Sequence, residues 1–345
     1  MELAISLVSI VLIVASMSGK RLLNKFDISN TLALRGILAA MIVLSHITQH
    51  VMSDFSATLL VREVTLQITG SAIYVVATFF FLSAYGLIAS YRHKGEAYLA
   101  GFFQKRCQRL LTPFLLVVIV YQIYNVITGT FEPLAIVVGL TQGGTLHLCP
   151  NTWFVLSLLI FYLMFWIVAK ATHDIKKIAL LLSCLTIIYT IVLFALFHFK
   201  GWGLHWFQSN LGFVSGVVIC CYERQLRRII SAHKIAVTML LIGGLIGLWL
   251  FVHIHWVAIT IACGVVPLLI YCSICRLRST HNSVLGFLGK YSYEIYITHG
   301  VLIVMFGFVT DPICFSLIVM VMVMPFSIIV NKCSARIQNL FNSSK

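Results

Sequence analysis

The sequence predicts an all-α, polytopic membrane helical bundle, and three observations predict it. Sixty per cent of the 345 residues are apolar, only 10% are charged and the mean hydropathy is +1.01, whereas an ordinary soluble domain carries about 25% charged residues. The apolar runs are far longer than the ~10-residue strands of a membrane barrel, and helices are the other structure that satisfies its backbone in hydrocarbon. The basic residues fall in short loops between those runs, on alternate sides, as the positive-inside rule requires.

Eleven spans are expected, near 3–17, 31–52, 70–90, 108–128, 152–170, 178–198, 207–222, 235–252, 256–274, 291–308 and 312–332. The first is followed, not preceded, by Lys20, Arg21 and Lys25, so it reads as a retained helix rather than a signal peptide. Every Lys or Arg except Arg35, Arg62 and Lys200 lies in the loops, span ends and tail of one side. That alternation puts the N-terminus out and the C-terminus in. No stretch between spans is long enough to fold alone. The expected division is an extra N-terminal helix with its basic loop, 1–27, and one membrane domain, 28–345. The net charge of +14 is accounted for by these loops, so no nucleic-acid partner is expected; the lipid bilayer is.

Within the spans, ionisable residues are costly by at least a few kcal/mol and mark function. Arg35 and His46 share the span 31–52. Eleven residues of helix turn roughly 20° beyond three full turns and rise roughly 16 Å, so both point to one face. With the N-terminus out, Arg35 lies toward the cytoplasmic end and His46 toward the outer one. The span 70–90 carries Phe79-Phe80-Phe81-Leu82-Ser83-Ala84-Tyr85, where small residues beside aromatics read either as close helix packing or as a pocket. Arg106 and Arg109, three apart on one helical face before Pro113, suit a phosphate group or lipid headgroups. Trp153, after Asn151-Thr152, reads as an interfacial anchor or a pocket wall. Ser292, Tyr296 and His299 fall on one stripe, a hydrogen-bonded seam or a cavity lining, and Glu294 projects to the opposite side.

No metal site is expected. Cys272 and Cys275 form one CxxC without a second pair, and His147, His198, His205, His253 and His255 on the outer side show no HExxH pattern.

In this order and spacing the residues resemble the acyltransferase-3 family of integral-membrane acyltransferases, over roughly 28–330. The resemblance rests on Arg35 with His46 eleven positions on, the Phe79–Tyr85 run, Arg106-x-x-Arg109 with Pro113, Trp153-Phe154, and Gly289-Lys290-x-Ser292-Tyr293-x-Ile295-Tyr296-x-x-His299. Three features depart from the family pattern. Leu32 stands where an acidic residue is common, Ser83-Ala84 replaces a Ser-Gly pair, and a helix precedes the usual ten.

The resemblance implies a multi-pass plasma-membrane enzyme moving an acyl group, most often acetyl, from cytoplasmic acyl-CoA to a hydroxyl of a cell-surface glycan, glycolipid or related acceptor. Acyl-CoA enters as donor substrate, and no bound cofactor is expected. His46 suits the general base that a hydroxyl nucleophile needs, and Arg35 the fixed charge for an oxyanion or the CoA pyrophosphate. Arg106 and Arg109 suit the CoA phosphates. Ser83, Trp153, Ser292, Tyr296 and His299 are the expected acyl or acceptor pocket. An acyl-enzyme on Ser292 or Ser83 is the alternative mechanism. A transporter or flippase for a glycan or lipid intermediate is the alternative function, since intramembrane polar residues suit a transport path too.

Overall fold

The computed structural model describes residues 28–51, 70–233, 235–237, 239–240, 243–244, 256–274 and 283–343. The expected spans 3–17 and 235–252, the N-terminal unit 1–27, and Arg62, Cys275, His253 and His255 fall wholly or mostly outside these residues. Among the described residues every regular element is helical. In chain order they are α1 (Ile28–Val51), α2 (Ala72–Lys94), a 3-10 turn (Gly95–Tyr98), α3 (Phe102–Ile127), α4 (Pro133–Thr141), α5 (Trp153–Ala171) and α6 (Ile175–Lys200). Then follow α7 (His205–Gln208), α8 (Leu211–Ala232), α9 (Trp256–Ile274), α10 (Ser283–Lys290), α11 (Ser292–Met305) and α12 (Pro312–Ser343).

Among the described residues six helical stretches are long and apolar enough to cross a membrane: Thr31–Val51, Ala72–Tyr98, Phe102–Ile127, Trp153–Ala171, Ile175–Lys200 and Pro312–Phe341; Trp256–Cys272 is apolar but shorter. The expected span 207–222 runs on to Ala232 as α8, through a break at Tyr222 (φ −105°, ψ 17°), and its second half carries Arg224, Arg227 and Arg228. The expected span 291–308 begins with the 14-residue α11. Such a helix is about 21 Å long, less than the ~30 Å hydrocarbon core. The basic loop expected at 91–107 is mostly helical as well. α2 continues to Lys94 and α3 starts at Phe102, which puts Arg106 and Arg109 in the first turns of α3.

Lipid tails are as apolar as leucine, so helices in a membrane associate through close packing rather than through water exclusion. Glycines supply that closeness here. α10 lies directly on α1: a Cβ on Gly36 would collide with the Leu285 carbonyl, and one on Gly289 with the Leu32 carbonyl. α8 lies as closely on α2, with Gly212 against the Ala77 carbonyl and Gly216 against the Phe81 carbonyl and the Ala84 Cβ. Ala84, which stands in the Ser-Gly position of the family pattern, is fully buried at this contact. The α1 group also holds α11, which packs on α12 and α3; the α2 group holds α6 and α9 around α8; α5 lies between, touching α2, α3 and α6. Between the two groups sits a dense aromatic core. Phe80 and Phe213 pack on Phe161 at 5.1 and 4.3 Å between ring centroids, and Phe102 packs on Phe165 at 5.4 Å.

Candidate active site

α1 and α11 bring His46 and His299 together. His46 Nδ1 is 2.7 Å from His299 Nε2. The rings are parallel to within 2° with centroids 4.9 Å apart. That separation is close to the N···N distance plus a ring radius on each side. The rings are therefore coplanar and end to end, an in-plane hydrogen bond rather than a stack. The proton's position follows by elimination. His299 Nδ1 lies 3.3 Å from the Ile295 carbonyl oxygen, which only accepts, so His299 Nδ1 carries a hydrogen. In the neutral ring Nε2 is then the acceptor. His46 Nδ1–H donates to it, and His46 Nε2 is left with its lone pair. His299 is fully buried and His46 half-buried, so the inner ring orients the outer one.

The wall around this pair is aromatic. Tyr296 packs edge-on to His299 at 5.5 Å, against Phe154 at 3.8 Å and Phe79 at 6.2 Å. Ser292 is buried at the start of α11, one turn before Tyr296. Glu294 projects to the other side of α11, where its carboxylate accepts a 2.7 Å hydrogen bond from Asn331 of α12; it takes no part in the site.

Arg35, about three turns before His46 on α1, lies within electrostatic reach of Tyr162 and Arg106. Its Nε is buried and has no hydrogen-bond partner. The Arg106 guanidinium donates to the Tyr98 hydroxyl through Nε at 3.0 Å and also through Nη2. It lies over the rings of Tyr98 and Tyr162, 5.7 and 5.8 Å from their centroids. Ser83 Oγ donates to the Tyr162 hydroxyl at 3.4 Å. Among the described residues no carboxylate pairs with Arg35 or Arg106. Two guanidiniums without a counter-charge repel each other and draw an anion between them. Arg109, three residues after Arg106 on α3, is exposed. Neither Ser83 nor Ser292 is hydrogen-bonded to a histidine among the described residues.

Trp153 stands at the first turn of α5 against Phe80 (6.2 Å), His205 (5.0 Å) and Trp206 (5.8 Å). The expected outer loop 129–151 is tied down beside it. Gln122 donates to the carbonyls of His147 and Leu148, both at 2.8 Å, and Trp206 Nε1 donates to the Gly143 carbonyl at 2.6 Å. The site therefore has two ends: arginines and tyrosines at one, the histidine pair and the tied loop at the other. Tyr98 and Tyr162 lie against Arg106 although no spacing pattern pointed to them; hydroxyls beside apolar helices were their only signal.

Burial in the aromatic cluster pushes His205 down to about 4, from an ordinary 6.5. The unfolded chain then binds more protons than the folded one between these values, so stability falls as pH drops from 6.5 toward 4 and levels off below. Over that window His205 accounts for up to about 3 kcal/mol. His205→Phe is expected to lose less thermal stability than the wild type between pH 7 and pH 4. Parallel losses would contradict the assignment.

Residues 32–332 match the family described as an acyltransferase domain, Acyl_transf_3. The chain belongs to the acyltransferase-3 family. No curated protein and no solved structure matches it. As a member of this family it is an acyltransferase, and its apolar helices make it a multi-pass membrane protein. The residues that carried the resemblance in the sequence lie on α1, α2, α3, α5, α10 and α11 of this acyltransferase.

Proposed function

We propose that the chain is a plasma-membrane O-acyltransferase, N-terminus out and C-terminus in. In this reading it moves an acyl group, in the first instance acetyl, from cytoplasmic acyl-CoA to a hydroxyl of a cell-surface glycan or glycolipid. The observation that carries this reading is the hydrogen-bonded pair His46–His299, which leaves a lone pair on His46 Nε2, about three helical turns from Arg35 and its neighbour Arg106, neither of which has a carboxylate partner among the described residues. A hydroxyl becomes an effective nucleophile when a base takes its proton in the transition state. His46 Nε2 accepts that proton while the hydroxyl oxygen attacks the thioester carbonyl. The carbonyl becomes a tetrahedral oxyanion; the Arg35 charge, about three helical turns from His46, suits the CoA pyrophosphate rather than that oxygen. Collapse breaks the C–S bond, and the CoA thiolate takes the proton back from His46. Direct transfer is favoured over an acyl-enzyme because neither candidate serine has a histidine beside it.

In this scheme Arg106, held by Tyr98, receives a CoA phosphate, and the exposed Arg109 contributes little. Arg106→Ala is expected to raise the apparent KM for acetyl-CoA about 10- to 100-fold, the loss of one charge-assisted hydrogen bond. Arg109→Ala is expected to stay within about twofold. Equal effects of the two would remove the phosphate assignment. The function itself is tested by measuring ester-linked acetyl on surface polysaccharide in cells with and without the intact chain. Unchanged ester content, with no acetyl-CoA binding by the purified protein, would sink the reading.

A further inference from the structure

Asn151 is the one non-glycine among the described residues with a left-handed backbone, at φ 58°. Asparagine tolerates this conformation better than most residues, and strained backbone concentrates where a site is held in shape. Its neighbourhood shows what the strain accomplishes. The segment Pro150–Asn151 lies against Gly300, the residue after His299 on α11. A Cβ on Gly300 would come within 2.7 Å of the Pro150 carbonyl oxygen and 3.3 Å of Asn151 Nδ2. The absence of a side chain at 300 thus admits an amide to the middle of α11, on the face that also carries Tyr296 four residues earlier. Tyr296 is in turn packed on His299 and on Phe154, three residues after Asn151.

The position is supported from behind. Thr152 Oγ1 donates to the Cys149 carbonyl at 2.7 Å, Cys149 N to Thr145 O at 2.7 Å, and Cys149 and Thr152 are buried. The half-buried Asn151 amide itself makes no hydrogen bond to any described residue. An amide that is oriented, desolvated in part and unpaired has one donor side and one acceptor side open. It sits at the histidine end of the site, away from the arginines that face the donor.

We infer that Asn151 is an acceptor-binding residue, whose side-chain amide holds a polyhydroxylated acceptor beside His46. This rests on the proposed acyl transfer. The amide takes a hydroxyl next to the one acylated, donating to its oxygen and accepting its proton. The reacting hydroxyl is thereby turned toward His46 Nε2. Proximity and orientation of this kind act on transfer and leave donor binding alone.

Asn151→Gly tests this, because glycine adopts φ 58° without strain and removes only the amide. Ester-linked acetyl on surface polysaccharide is expected to fall about tenfold or more. Binding of radiolabelled acetyl-CoA to the purified protein and its thermal unfolding are expected to stay at wild-type values. Gly300→Ala, which pushes Pro150–Asn151 away, is expected to reproduce the loss. Wild-type acetylation by Asn151→Gly would overturn the inference. So would a parallel loss of acetyl-CoA binding, which would mark Asn151 as structural. His46→Ala, measured alongside, separates the two levels. If His46→Ala abolishes acetylation and Asn151→Gly does not, only the acceptor assignment fails; if neither changes it, the proposed function fails too.

Discussion

His46→Ala is expected to lower acyl transfer by about 10²- to 10⁴-fold, the range that a positioned general base contributes, with protein level and acetyl-CoA binding unchanged. The base nitrogen is His46 Nε2, and it is free because Nδ1 of the same ring is committed to His299 Nε2 at 2.7 Å. His299 is committed in turn, through Nδ1, to the Ile295 carbonyl. Substitutions at 299 should therefore act through tautomer and orientation. His299→Phe keeps the bulk but removes the acceptor for His46 Nδ1–H, and a loss of about 10- to 100-fold is expected, as for residues that orient a ligand histidine elsewhere. His299→Gln offers an amide oxygen to the same proton and should recover part of that loss. The measurement is turnover of acetyl-CoA into ester by purified protein or by cells carrying each variant. His46→Ala within threefold of wild type, or Gln no better than Phe at 299, would break the chain of reasoning at a known link.

Gly289→Val should destabilise the protein severely, whatever its effect on chemistry. The Cβ position of residue 289 is already occupied by the Leu32 carbonyl oxygen, with Gly36 N at 3.2 Å. A backbone carbonyl cannot rotate away as a side chain can, so α10 must lift off α1. Overpacking of this kind costs about 3 kcal/mol or more, which corresponds to a Tm lower by about 5 °C or more. Activity should fall as well, because Arg35 sits on the turn of α1 between Leu32 and Gly36. Gly286→Ala is the matched control on the same helix. Nothing lies within 4 Å of a Cβ there, and alanine in a helix is worth about 0.5–1 kcal/mol over glycine. Thermal unfolding in detergent distinguishes the cases. A Gly289→Val protein as stable as Gly286→Ala would mean that the α1–α10 contact is not made as described.

The departure at Leu32 takes on a physical meaning in this light. An acidic residue was expected three positions before Arg35, and its absence raised the question of what Arg35 pairs with. The Leu32 backbone is committed to Gly289, and the arginine's surroundings are hydroxyls and a second guanidinium instead of a carboxylate. The unpaired state suits a group that must meet an anion, because a resident carboxylate would have to be displaced first.

Much was legible from the sequence alone because a membrane imposes simple rules. Long apolar runs with few charges can only be buried helices, and an arginine and a histidine eleven apart on such a run must share a face. The apolar character of α1, α2, α3, α5, α6 and α12, the shared stripe of Tyr296 and His299, and the projection of Glu294 to the opposite side of α11 all followed from residue type and helical period. Helix ends did not follow, because they depend on what the chain meets. α8 continues past its apolar stretch, α11 ends at Met305, short of the expected 308, and α3 starts before its charges rather than after them.

The sequence by itself determined that the chain is helical and apolar enough for a membrane and which helices carry its ionisable residues, since period and hydropathy are local properties; its acyltransferase character came from the family its motifs match. Only the tertiary structure decided which of those residues meet. It joined His46 to His299 across 253 positions of chain, left Arg109 exposed while half-burying Arg106, set Arg106 against Tyr98 and Tyr162, and set Asn151 against Gly300. Such pairings depend on how closely two backbones approach. Here that approach is governed by glycines: Gly212 and Gly216 carry a four-residue signature of close packing, whereas Gly36 and Gly289 stand singly and give no sign of the partner they meet.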